Sequence, residues 1–131
     1  MKSYIVQTFF GVVGAVLSFL YGELSVAFLS LIALICIDFI TGLMHAYFEQ
    51  MLNSKTCAKG IAKKVYILAL VAVGHMVDGV TGASVCMNVV TFFYIANESM
   101  SIIENAGRIG LPVPDKLIAV LEQLNGKESN S

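Results

Sequence analysis

Tryptophan is absent from this chain, proline occurs twice in 131 residues, and charged side chains make up only 13%. Each shortage excludes something. Without tryptophan, an aromatic belt at a membrane boundary has to rest on Tyr and Phe, and Tyr4, Tyr21, Tyr47 and Tyr66 sit near the ends of apolar runs. The two prolines, Pro112 and Pro114, follow the last apolar run, where with Gly107 and Gly110 they stop a helix. Cys36, Cys57 and Cys86 are odd in number and lack C-x-x-C spacing, so no disulfide framework or zinc site follows. Cys36 and Cys86 read as small membrane-buried hydrophobes and Cys57 as a reduced thiol. There is no Gly-rich phosphate loop, no H-E-x-x-H and no G-x-S-x-G, so no enzyme, cofactor or metal is indicated. A net charge of −1 provides no global basic field for nucleic acid.

What is present is apolar. Hydrophobic residues make up 57% of the chain, with a mean hydropathy of +0.81. A soluble domain of this size would expose much of that surface and aggregate. Four apolar stretches, Tyr4–Tyr21, Leu24–Phe48, Val65–Gly82 and Val85–Ile103, approach the ~20 residues needed to cross a bilayer as a helix. All eight Lys and Arg residues fall before the first stretch, between the second and third, or after the fourth. Basic residues near span ends stay on the cytoplasmic side. The pattern predicts an all-α integral membrane protein of four transmembrane helices arranged as two antiparallel hairpins. Both termini and a basic loop over 49–64 are placed in the cytoplasm. Residues 1–106 form the bundle. Residues 107–131 supply a Pro/Gly linker, a short amphipathic helix over Asp115–Leu124 and a disordered tail. Lys2 before an apolar run resembles a secretory signal, but the run is long and no polar mature domain follows, which favours an uncleaved first helix.

Small residues recur on the first helix. Gly11 and Ala15, and Gly14 and Ser18, are four apart, a spacing that lets helix backbones approach in lipid, within one monomer or between monomers. The second stretch exceeds the ~30 Å hydrocarbon core and has to tilt or project. In the connector, Ser54 can cap a short helix. Lys55, Lys59, Lys63 and Lys64 set topology and touch anionic headgroups.

The polar residues inside the apolar runs carry the functional signal. Asp38, Thr41 and His45 follow i, i+3, i+7 in the second stretch, and Asn97, Glu98, Ser101, Glu104 and Asn105 line the fourth. An Asp at a helix centre costs about 2.5–3.5 kcal/mol on insertion scales. Pairing Glu98 or Glu104 with Lys63 or Lys64 would neutralise charge that otherwise meets lipid. Three readings stay open: mutual bonding that holds the bundle together, a water-filled path in an oligomer, or a proton- or ion-coupling site.

These residues resemble a known family. Asp38-Phe39-Ile40-Thr41-Gly42 resembles the D-x-x-T-G element of the phage-lysis and toxin-secretion holins. Ser54-Lys55 and Gly60-Ile61-Ala62-Lys63-Lys64 are similar to its basic segment. Asn97 to Asn105 followed by Gly110-Leu111-Pro112-Val113-Pro114 resembles its N-E-x-x-S-I-x-E-N…G-x-P-x-P stretch. Members are often drawn with three spans, whereas the charge pattern here gives four. The resemblance implies a homo-oligomer in the bacterial cytoplasmic membrane. It would open lesions for an endolysin or a large toxin, an antiholin being a candidate restraint, with no reaction catalysed and no cofactor. A small multidrug-type transporter also has four short helices, but it typically needs an acidic residue in helix 1, which is missing here. A membrane scaffold is the third alternative.

Overall fold

The computed structural model describes residues 1–124 and is all-helical over that range. The tail expected to be disordered, Gly126–Ser131, lies outside the described residues. Five helices follow one another: α1 (Lys2–Tyr21), α2 (Val26–Phe48), α3 (Ser54–Thr81), α4 (Cys86–Arg108) and α5 (Asp115–Leu124).

Local chemistry sets their ends. The Ser25 side chain accepts from the Phe28 N–H and starts α2. Gln50 takes the left-handed conformation (φ 55) beyond the end of α2, and the Met51 N–H donates back to the Ala46 carbonyl. Gly110 (φ 88) ends α4 in the same way, with the Leu111 N–H on the Ala106 carbonyl. Asn53 caps α3, its side chain accepting from the Thr56 N–H at 2.8 Å. Ser54, expected as that cap, is the first helical residue. The expected loop over 49–64 is therefore short, and its lysines stand on the opening turns of a 28-residue helix. A capped start and good helix formers outweigh the charge of this segment.

The expectation of four spans is not supported. Three helices, α1, α2 and α3, are long and apolar enough to cross a membrane. α4 is 23 residues long, but Asn97, Glu98, Ser101, Glu104, Asn105 and Arg108 dilute its hydrophobicity. The two-hairpin arrangement is also corrected. α3 and α4 do form a hairpin, but α1 and α2 do not run side by side, and α1 packs on α3 instead. The first two helices meet only at their junction, where Tyr21 stacks on Phe28 with ring centroids 4.7 Å apart. The Tyr21 hydroxyl donates to the Leu68 carbonyl at 3.0 Å. Gly22, at φ +67, sits so close to His75 that a Cβ would lie 2.8 Å from its ring. The rest of α1 is uncovered, with no buried residue.

α2, α3 and α4 form the packed body. Phe28, Leu31 and Ile35 of α2 pack against Ile67 and Val71 of α3, and Met87, Val90, Tyr94 and Ile95 of α4 close over them. α5 docks on α4 with Leu121 buried, matching the expected amphipathic helix in its bounds. Ten residues make a marginal helix alone, so this docking holds it.

Candidate functional site: a buried polar network

α2 and α4 run parallel, and α3 runs antiparallel to them on the other side of α4, touching α2 only slightly. This brings the middle of α2, the start of α3 and the later turns of α4 to one depth. The Lys64 ammonium stands between two carboxylates there. It donates to Asp38 Oδ2 and, at 2.6 Å, to Glu98 Oε2. Asn105 extends the network. Its Nδ2 donates to Asp38 Oδ1 at 3.1 Å and to Thr41 Oγ1 at 3.0 Å, and reaches the Asp38 carbonyl at 3.4 Å. Thr41 in turn donates to the Ile37 carbonyl at 2.9 Å. Glu98 is 1% exposed, Asn105 7% and Asp38 9%. Burial of this degree is tolerable only because every charge meets an opposite charge or a hydrogen-bond partner.

Of the expected pairings, Glu98 with Lys64 forms, while Glu104 and Lys63 are exposed and, among the described residues, form no ion pair. Asp38, Thr41, Glu98 and Asn105 come together. Ser101 lies between two clefts flanking the network, of about 340 and 640 Å³. Glu104 lines the first and Asn97 the second. His45 stands apart, in a third cleft with Asn53, Thr56 and Arg108. Its Nδ1 is buried and has no hydrogen-bond partner among the described residues. Lys55, Lys59 and Lys63 are exposed, as are Gly11, Gly14, Ala15 and Ser18.

Three residues are not singled out by the sequence for the places they take. Thr91 is 2% exposed. It lies seven residues before Glu98 as Glu98 lies seven before Asn105, and that spacing is the signal that could have found it. Asp78 caps α4, accepting from the Cys86 N–H at 2.9 Å and the Met87 N–H at 3.0 Å. Gly74 sits where α3 and α4 nearly touch, and a Cβ there would lie 3.0 Å from Met87 Cα and 3.1 Å from the Cys86 carbonyl oxygen. Neither of the last two roles carries a sequence signal, because each depends on which helix lies opposite.

Fold and site together define a small helical membrane protein in which Asp38, Thr41, Lys64, Glu98 and Asn105 form one polar network inside an apolar body. The chain belongs to the bacteriophage holin family, whose family model matches residues 15–126. It is similar to an uncharacterized protein of Halalkalibacterium halodurans, 41% identical over 124 residues (90% of this chain, 92% of the relative). An uncharacterized protein of Listeria innocua is 40% identical over 119 residues (88% and 85%). A probable holin of Bacillus phage phi105 is 34% identical over 98 residues (74% and 72%). No solved structure matches the chain.

Proposed function

We propose that this protein acts as a holin. In this reading it accumulates in the cytoplasmic membrane of a bacterial host, associates laterally with its own copies, and opens lesions through which an endolysin or a large toxin leaves. Family membership and the likeness to a probable holin support the reading. The observation that carries it is the depth of the Asp38–Lys64–Glu98–Asn105 network within an apolar body. Charge at such depth defaults to a functional role.

The network favours a closed single copy, since each polar group satisfies another. Moving α4 away from α2 and α3 would turn the same groups outward. Facing lipid, they would be strongly unfavourable. Facing a water-filled lumen ringed by other copies, they would be solvated. Opening is thereby tied to association, with no catalysed step and no cofactor. Arg108 shares clefts with Lys63 and Thr56, so the end of α4 returns to the basic start of α3. We place that end, and the N-terminus with Lys2, on the cytoplasmic side; in this reading α4, which is not among the helices apolar enough to span by themselves, returns through the membrane packed against α2 and α3. The uncovered Gly11/Ala15 and Gly14/Ser18 faces supply contact between copies, and an antiholin would act on that association.

Liposomes loaded with fluorescent dextran of protein size test the reading. Wild type releases the dextran above a threshold protein density, whereas Asp38→Leu and Glu98→Leu, inserted at equal density, do not. Equal release by both variants would remove the basis for the proposal. So would protein that stays monomeric at every density in sealed vesicles.

A further inference from the structure

The 640 Å³ cleft between α3 and α4 has walls with matched polarity gradients. On α3 the lining residues Lys59, Lys63, Tyr66 and Leu70 follow i, i+4, i+7, i+11 and so share one face. On the antiparallel α4, Ser101, Asn97 and Tyr94 descend the opposite wall. From the basic end inward, the groove passes from ammonium, hydroxyl and amide groups, through two tyrosines, to aliphatic side chains. Lys64 at its back is committed to Asp38 and Glu98. Lys59 and Lys63 at its rim form no ion pair among the described residues and are exposed.

Two uncommitted cations above an aromatic and aliphatic floor complement an anion that carries a hydrocarbon tail. α3 is apolar and long enough to cross a membrane, and a span beginning below its lysines would set the floor of the groove at acyl-chain depth. We infer that this groove binds an anionic phospholipid, with the phosphate between Lys59 and Lys63 and the first acyl carbons along Tyr66, Tyr94 and Leu70. A free phosphate would use the rim alone. Diffuse headgroup attraction would treat Lys55, which lies outside the groove, like the other two. The inference is independent of lesion formation.

The test uses the full chain in a neutral maltoside detergent, with bound lipid read by native mass spectrometry and by thermal shift. Dioleoyl-phosphatidylglycerol is retained and raises the unfolding temperature, while dioleoyl-phosphatidylcholine and inorganic phosphate do neither. Lys59→Gln and Lys63→Gln each weaken phosphatidylglycerol binding about fivefold. Lys55→Gln, which removes the same charge, leaves it unchanged. Leu70→Asn, with helicity checked by circular dichroism, weakens lipid retention with the lysines intact. The inference is overturned if Lys55→Gln weakens binding as much as Lys59→Gln, or if inorganic phosphate alone reproduces the thermal shift. No leakage readout is involved, so failure here is distinct from failure of the dextran experiment.

Discussion

Lys64 is one ammonium between two carboxylates, with Glu98 and Asp38 nearly removed from solvent around it. Its loss strands two adjacent acids in the bundle, and breaking a buried ion pair from one side costs about 3–5 kcal/mol. We expect Lys64→Met to lower the thermal unfolding midpoint in detergent more than any other single change in the network. Adding Asp38→Leu and Glu98→Leu to Lys64→Met should recover most of that loss, because an apolar replacement of the whole group is close to neutral. A single variant as stable as the triple would show that the charges are not engaged. Asp78 acts at the same scale through its two bonds to the α4 N-terminus. Asp78→Ala should cost about 1 kcal/mol and Asp78→Asn less, since an amide oxygen still accepts. Asp38, Thr41, Glu98 and Asn105 stood out in the sequence because polar side chains interrupt apolar runs. The capping role of Asp78 did not, because a carboxylate near a helix end looks the same whether it faces water or caps a neighbour eight residues on.

At the scale of elements, the contact between α3 and α4 depends on glycine. A Cβ at position 74 would press on the backbone of Cys86 and Met87, whereas one at Gly79 would meet nothing within 4 Å. Backbone cannot swing aside as a side-chain tip can, so the helices would have to separate. We expect Gly74→Val to destabilise by about 1–3 kcal/mol and to weaken the Lys64–Glu98 pairing that the same two helices hold. Gly79→Ala should be neutral or stabilise by about 0.5–1 kcal/mol through helix propensity. Circular dichroism melts of the two variants against wild type check both. The helices themselves were readable from the apolar runs and their stops, and α5 from its spacing. The extension of α3 back through the lysines was not, because charge reads as a break even where it sits on the surface of a continuous helix.

For the whole molecule, α1 is the unusual part. Its end is pinned by Tyr21 and Gly22 against α3, while a Cβ added at Gly11 or Gly14 would meet nothing within 4 Å. A larger side chain there leaves the single copy intact and obstructs only what approaches from outside. Gly14→Ile is therefore expected to keep the wild-type unfolding midpoint yet reduce the cross-linked ladder of copies in liposomes. An unchanged ladder would take α1 out of the contact between copies. The charge pattern expects the basic residues of the loop and of the end of α4 on one side of the membrane, and in the fold Lys63 and Arg108 line one cleft. The expected pairing of α1 with α2 failed, because a short connection constrains the ends of two helices and not their directions.

By itself, the sequence determined that the chain is helical and suited to lipid, where its apolar runs end, and which polar residues are too costly to be incidental. Those properties follow from local composition and spacing. Only the tertiary structure decided that Lys64 joins Asp38 to Glu98, that Asp78 caps α4, and that α1 stands off from α2. Each of these depends on which faces meet across a bundle, and periodicity along one helix carries no record of its neighbour.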